Sequence, residues 1–138
     1  MSGLQAALGL SQMKRIDEFI YNRIQRAHHY NKRLSHLCKY FVFPPNASWA
    51  KNVYWMYSFL LKDDFPLSRQ DFMDKLAEKG IETRTFFYPV HTQPIYKEES
   101  EYPVADMLAK KGMNLPSGNN LTLEHVNYVC DVIQELIG

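Results

Sequence analysis

The chain has 138 residues, long enough for one domain with a hydrophobic core that needs no metal or disulfide staple. Its 16 Lys and Arg against 15 Asp and Glu leave a formal charge of +1, which removes any broad electrostatic case for nucleic acid or an anionic membrane surface. Apolar residues at 46% and charged residues at 22% exclude a disordered or collagen-like chain, and the aromatic content of 14% is the one excess.

Leu4, Leu8, Met13, Ile16, Ile20, Ile24, Ala27, Leu34 and Leu37 recur three or four apart, which predicts one amphipathic helix over residues 3–37. Ser2 and Gln5 have the form of a capping box at its start. A helix of that length spans about 50 Å at 1.5 Å per residue, so part of it is expected to overhang a compact domain and seek a partner. His28 and His29 are adjacent and therefore face about 100° apart on a helix, so solvated surface histidines are expected rather than metal ligands.

Tyr40 to Pro45 reads as a short extended segment stopped by two prolines. Val53 to Leu61 is rich in β-branched and aromatic residues, apolar on both faces, and reads as a central strand covered by helices. Ser68 is the expected cap of a helix that ends at Gly80, with Leu67 and Phe72 as its hydrophobic staple. Ile81 to Phe87 alternates as a second strand, making a strand–helix–strand unit. Pro103 suits the first position of a short helix ended by Gly112, Met113 to Pro116 is a brief extended piece, and Thr122 caps a last helix carrying Val126, Val129, Cys130, Ile133, Leu136 and Ile137 on one side. The fold class is α+β: a single domain over 1–138, a small sheet carrying helices behind a long leading helix.

Cys38 and Cys130 lie in segments that read as helical, with neither a CxxC pair nor a zinc-type histidine spacing, so both are expected to be free thiols of a cytoplasmic protein. No stretch approaches the roughly 18 apolar residues of a membrane span, and the N-terminus has no basic region followed by an apolar run. The sequon at Asn46 is taken as coincidental without a secretory signal. The acidic run Glu98, Glu99 and Glu101 is read as a solvated turn whose charge favours the helix that follows.

Sequence motifs of enzyme chemistry are missing: there is no GxGxxG, Walker loop, HExxH, GxSxG or Cys/His nucleophile context. The stretch from Gly80 to Pro94 is the exception, because it concentrates Arg84, Tyr88, His91 and Gln93 as hydrogen-bonding groups with Phe86 and Phe87 as ring surfaces. Arg84 has the geometry to hold a phosphate or carboxylate, His91 to donate or accept near neutral pH, and the aromatic run to stack on a base or sugar. Equally, the aromatics could fill the core while Arg84 pairs with Glu82; spacing alone leaves both readings open.

The N-terminal segment through Gln12, Val53-Tyr-Trp-Met-Tyr57, Gly80-Ile-Glu-Thr-Arg84, Phe86-Phe-Tyr-Pro-Val-His-Thr-Gln-Pro94, Tyr102-Pro-Val-Ala105 and Asn114-Leu-Pro-Ser117 together resemble, in order, the C-terminal third of the DegT/StrS family of PLP-dependent nucleotide-sugar aminotransferases. The Arg-x-Phe-Phe-Tyr-Pro-x-His form is most similar to its perosamine-synthase-like branch. One departure is Gly3, where the family usually has Asn, Asp or Glu. The resemblance implies the C-terminal small domain of the aspartate-aminotransferase (type I) fold, a homodimer or association with a missing large domain, and transfer of an amino group from glutamate to a nucleotide-linked keto-sugar. It places Arg84, Phe87, Tyr88, His91 and Gln93 along the active-site cleft as substrate-binding residues. It also implies that the Schiff-base lysine and most cofactor contacts lie upstream of the matched segment, so this chain alone is expected neither to hold PLP nor to transaminate. The alternatives are a non-catalytic nucleotide-sugar-binding module and a helical dimer built on the first turns of the leading helix.

Overall fold

The computed structural model describes residues 1–97 and 100–137. Glu98 and Glu99 of the acidic run lie outside the described residues, and Glu101 is exposed. The order of elements is α1 (Gly3–Met13), α2 (Ile16–Leu34), β1 (Phe41–Val42), β2 (Tyr57–Leu61), α3 (Arg69–Glu78), β3 (Arg84–Thr85), α4 (Pro103–Lys111), β4 (Gly112–Leu115) and α5 (Leu123–Ile137).

The expected single leading helix is two helices in series. The capping box forms as read, with Ser2 N–H donating to Gln5 Oε1 at 2.8 Å. The break comes at Lys14 and Arg15, where Arg15 leaves helical geometry at φ −113° and ψ 7°. Two forces favour a fresh start there. Asp17 and Glu18 place negative charge in the first turn of α2, where the helix dipole stabilises it, and Arg15 Nε donates to Glu18 Oε2 at 3.1 Å. Nothing among the described residues buries any part of α1 to hold it in line.

The sheet is antiparallel throughout, in the order β1-β2-β4-β3. Tyr57 stands opposite Leu115, Phe59 opposite Met113, and Arg84 opposite Asn114. The piece expected to be merely extended is therefore the second central strand, and it separates β2 from β3 in the strand–helix–strand unit. Gly112 opens it because a side chain there would collide with Phe86, whose Cγ lies 2.3 Å from the position of an added Cβ. Both expected strands are shorter than their patterns. β3 keeps only two residues, and β2 starts at Tyr57 because Tyr54 takes a left-handed φ of +49°, a conformation costing a bulky residue roughly 1–3 kcal/mol. Asn52 Oδ1 accepts the Tyr54 N–H at 2.8 Å and fixes that turn.

Alternation along β2 and β4 sends Tyr57, Phe59, Leu61, Met113 and Leu115 to one face and Ser58 and Asn114 to the other. The first face meets α2, α3 and α5 in a core of aromatic contacts: Tyr30 against Tyr57 at 4.6 Å, Phe41 against Phe59 at 5.0 Å, and Phe65 against Phe72 at 4.9 Å. Each such side chain contributes about 1.5–3 kcal/mol on burial. Helix α5 adds Val126, Val129, Cys130, Val132 and Ile133. Both cysteines are free; Cys38 is exposed after a short 3₁₀ turn, while burial pushes the Cys130 thiol up to about 12.

The caps of the other helices follow local chemistry. Ser68 Oγ accepts the Asp71 N–H at 3.1 Å, and Thr122 Oγ1 accepts the His125 N–H at 3.3 Å. Gly80, at φ +76°, ends α3 in a Schellman turn, with Ile81 N–H donating to Leu76 C=O at 2.9 Å. Of the paired histidines only His28 is exposed; His29 is half-buried, with Nε2 2.7 Å from Asn127 Oδ1 on α5.

Candidate functional site

The second face of the sheet is where polar side chains converge. Ser58 Oγ donates to Asn114 Oδ1 at 2.6 Å, and Asn114 Nδ2 donates to the carbonyls of Arg84 and Thr85 at 3.4 and 3.3 Å. This amide, only 7% exposed, links β2 to β3 across β4. Helix α4 covers one side of the face. Its end is held by Arg69 of α3, whose guanidinium donates to the carbonyls of Ala109 and Gly112.

Three open clefts run along this face. The first, about 330 Å³, lies between Phe86, Phe87 and Pro89 on one side and Ala105, Leu108 and Ala109 of α4 on the other, with Ser58 and Asn114 as polar floor. The second, about 460 Å³, shares Met56 and Asn114 with the first and adds Trp55, Glu82, Arg84 and Ser117. The third, about 500 Å³, shares Ala105 with the first and is walled by Val90, His91, Tyr96 and Tyr102. Met56 and Asn114 thus border both of the first two clefts, and Ala105 of α4 borders the first and the third.

Three of the five residues expected from the sequence line these clefts. Arg84 stands in the second, its Nη2 donating to Glu82 Oε1 at 3.0 Å. Both side chains of that pair are largely exposed, so it contributes little to stability and is readily exchanged for another oxyanion. Phe87 lines the first cleft and stays exposed, so it does not fill the core. His91 stands in the third, its Nε2 3.0 Å from Asp106 Oδ1 and its ring 4.8 Å from that of Tyr102. Tyr88 and Gln93 are exposed and line none of the three.

Sequence reasoning did not single out Ser58, Asn114, Met56, Trp55 or Ser117 as site residues. The available signal was Asn114 itself, a lone amide between Met113 and Leu115 in an otherwise apolar run. Chemically the face offers hydrogen-bond donors and acceptors, one guanidinium and several aromatic walls. No lysine lines the three clefts; Lys79 and Lys111 pair with Glu135 and Asp63, and Lys62 donates to the Cys38 carbonyl. Among the described residues there is no cluster of His, Cys, Asp or Glu able to hold a metal, and no helix is long and apolar enough to cross a membrane.

Comparison with known proteins gives the same picture from another side. A family model described as the DegT/DnrJ/EryC1/StrS aminotransferase family matches residues 1–134. The GDP-perosamine synthase of Escherichia coli O157:H7 is 37% identical over 136 residues, which is 98% of this chain and 36% of that protein. That of Vibrio cholerae is 32% identical over 137 residues, 97% of this chain and 37% of its own length. The crystal structure of S. venezuelae DesV with a ketimine intermediate superposes with a TM-score of 0.85 at 25% identity, covering 96% of this chain and 36% of that one. The chain therefore spans a little over a third of the relatives it matches.

Pyridoxal phosphate serves this family, and it needs an amine for its aldehyde and a carboxylate for its ring nitrogen. The clefts contain no lysine, and the one carboxylate in them, Glu82, is engaged by Arg84. These residues do not by themselves make a site for that cofactor. In sequence and in fold alike, the chain belongs to the DegT/DnrJ/EryC1/StrS aminotransferase family, as its C-terminal small domain.

Proposed function

We propose that this chain supplies the C-terminal portion of a pyridoxal-phosphate-dependent aminotransferase that moves an amino group from glutamate to a nucleotide-linked keto-sugar. Alone it neither holds the cofactor nor transaminates. The observation that carries this reading is the pairing of a polar, aromatic-walled face with clefts that lack a lysine. Such a face binds and orients. Arg84 leaves Glu82 for an oxyanion of the substrate, Asn114 keeps the three strands in register beneath it, and Phe87 and His91 border the same surface. Tyr88 and Gln93 join them when the cleft is closed from the other side.

The partner is the cofactor-bearing portion of the same fold, joined covalently or supplied as a separate chain, in a cytoplasmic dimer. Helix α1 is its docking element. It has no charged residue and no buried one, and it presents Leu4, Leu8, Leu10 and Met13 to solvent. The test is to add pyridoxal phosphate to the purified chain and record the aldimine absorbance. No band should survive dialysis, and no amino transfer to a GDP-linked keto-sugar should occur. Both should appear on co-expression with the complementary portion of a relative. A stable band in the chain alone, lost on replacing one lysine, would overturn the reading.

A further inference from the structure

A further cavity of about 480 Å³ lies between residues 80–82 after α3, the loop joining β4 to α5, and the first turns of α5. Its apolar lining is Ile81 and Val129, both buried, with Leu121 half-buried and the exposed ring of Tyr128. That volume suits a small organic molecule. The walls are anchored before anything binds. Arg26, itself buried, donates from Nε to the Leu121 carbonyl at 2.7 Å and from Nη2 to the Asn119 carbonyl at 2.9 Å. The Tyr128 hydroxyl donates to the Lys79 carbonyl at 2.9 Å and ties α5 to the end of α3. A cavity whose loop and ring are already fixed has little ordering to lose on binding.

The charge around the cavity has one sign. Glu82 is the one lining residue with a formal charge, and its carboxylate is largely exposed. Its Oε1 accepts from Arg84, which lines the neighbouring cleft and not this one, while its Oε2 has no hydrogen-bond partner among the described residues. His125 adds no positive charge: Nδ1 accepts the Thr122 N–H at 3.1 Å and so carries no proton, which leaves the neutral ring with its proton on Nε2. The head of α5 is already answered as well. Thr122 Oγ1 takes the His125 N–H, and Glu124 stands in the first turn, where its charge meets the positive end of the helix. Apolar walls with a single carboxylate are complementary to a cation on an apolar body.

We propose that this cavity binds a small amphipathic amine, in which Glu82 takes the ammonium group and Ile81, Leu121, Val129 and Tyr128 take an aromatic or branched apolar body. The site goes beyond the aminotransferase reading and does not depend on it. It also bears on the open face, because Glu82, Pro116 and Gly118 border this cavity and the cleft of Arg84 alike. An ammonium on Glu82 competes with Arg84 for one carboxylate, and the exposed pair between them is weak enough to be exchanged.

The experiment titrates 2-phenylethylamine into the full chain and follows the methyl resonances of Ile81, Leu121 and Val129 by NMR, with 3-phenylpropionate as the probe of opposite charge. The amine should shift these methyls saturably and leave those of Leu4 and Leu8 on α1 unmoved. The acid should bind much more weakly. Glu82→Gln should weaken the amine by roughly fivefold, the upper scale of an exposed ion pair. Arg84→Ala should strengthen it, because a competing cation is removed. Both side chains are exposed, and far-UV circular dichroism checks that each variant keeps the fold. No saturable shift, an acid that binds as tightly as the amine, or an affinity indifferent to Glu82→Gln would overturn the site. A weaker amine affinity in Arg84→Ala would overturn the shared use of Glu82.

Discussion

Helices α1 and α5 both carry a broad apolar side, yet one lies wholly in solvent and the other forms the centre of the core. In α5, Val126, Val129, Cys130, Val132 and Ile133 meet the aromatic layer and α2. In α1, Leu4, Leu8, Leu10 and Met13 meet nothing among the described residues. The contrast teaches that hydrophobic patterning states which side of a helix wants cover and leaves open what provides it. Helix α1 is uncharged, and none of its residues is buried among the described residues.

The comparison can be broken most sharply at the core. Ile133→Ala should destabilise the chain by about 2–5 kcal/mol, since it opens a cavity in a fully buried site. Urea denaturation followed by circular dichroism measures this, and a loss under about 1 kcal/mol would mean that α5 is not the core element described. A smaller effect is expected on the open face. Asn114→Ala should cost about 1–3 kcal/mol, because Ser58 and the carbonyls of Arg84 and Thr85 lose a buried partner; faster amide exchange in β3 than in β1 would locate the damage. The smallest effect belongs to α1. Leu8→Ala should change the stability of the isolated chain by no more than about 0.5 kcal/mol, as for other exposed positions. The same substitution should weaken association with the cofactor-bearing portion of the fold in a pull-down between purified parts. A large stability loss in the isolated chain would show that α1 is already packed, and the contrast with α5 would fall.

Much of the fold was legible wherever the deciding interaction is local. The capping box at Ser2, the caps at Ser68 and Thr122, the left-handed Gly80 and the proline at the start of α4 are contacts within a few residues of one another, so the residue types alone point to them. What failed was set at longer range. Periodicity continues through Lys14 and Arg15, but with nothing packed on α1 the acidic pair at the head of α2 was free to start a new helix. The pattern from Val53 to Leu61 is strand-like throughout, yet Arg23, Ser117 and Asn52 hold Val53 to Met56 out of the sheet.

The candidate site divides the same way. Arg84, Phe87 and His91 were recognisable because polar and aromatic residues crowd one short stretch, and each of them lines a cleft on the open face. Tyr88 and Gln93 share that stretch without sharing its clefts. Trp55 and Ser58 lie more than fifty residues from Asn114 and join it and Arg84 on one surface only through the pairing of β2 with β4 and β4 with β3.

By itself, then, the sequence determined the α+β class, both ends of α3 and α4, the start of α5 and, through six collinear motifs, the family. Side-chain type and close spacing are sufficient for all of these. Only the tertiary structure decided that β4 stands between β2 and β3, that Asn114 rather than Arg84 is the buried centre of the open face, and that Trp55 lines a cleft beside Arg84. Strand register and burial are set by contacts between residues tens of positions apart, and a one-residue shift in that register would send each of these side chains to the opposite face.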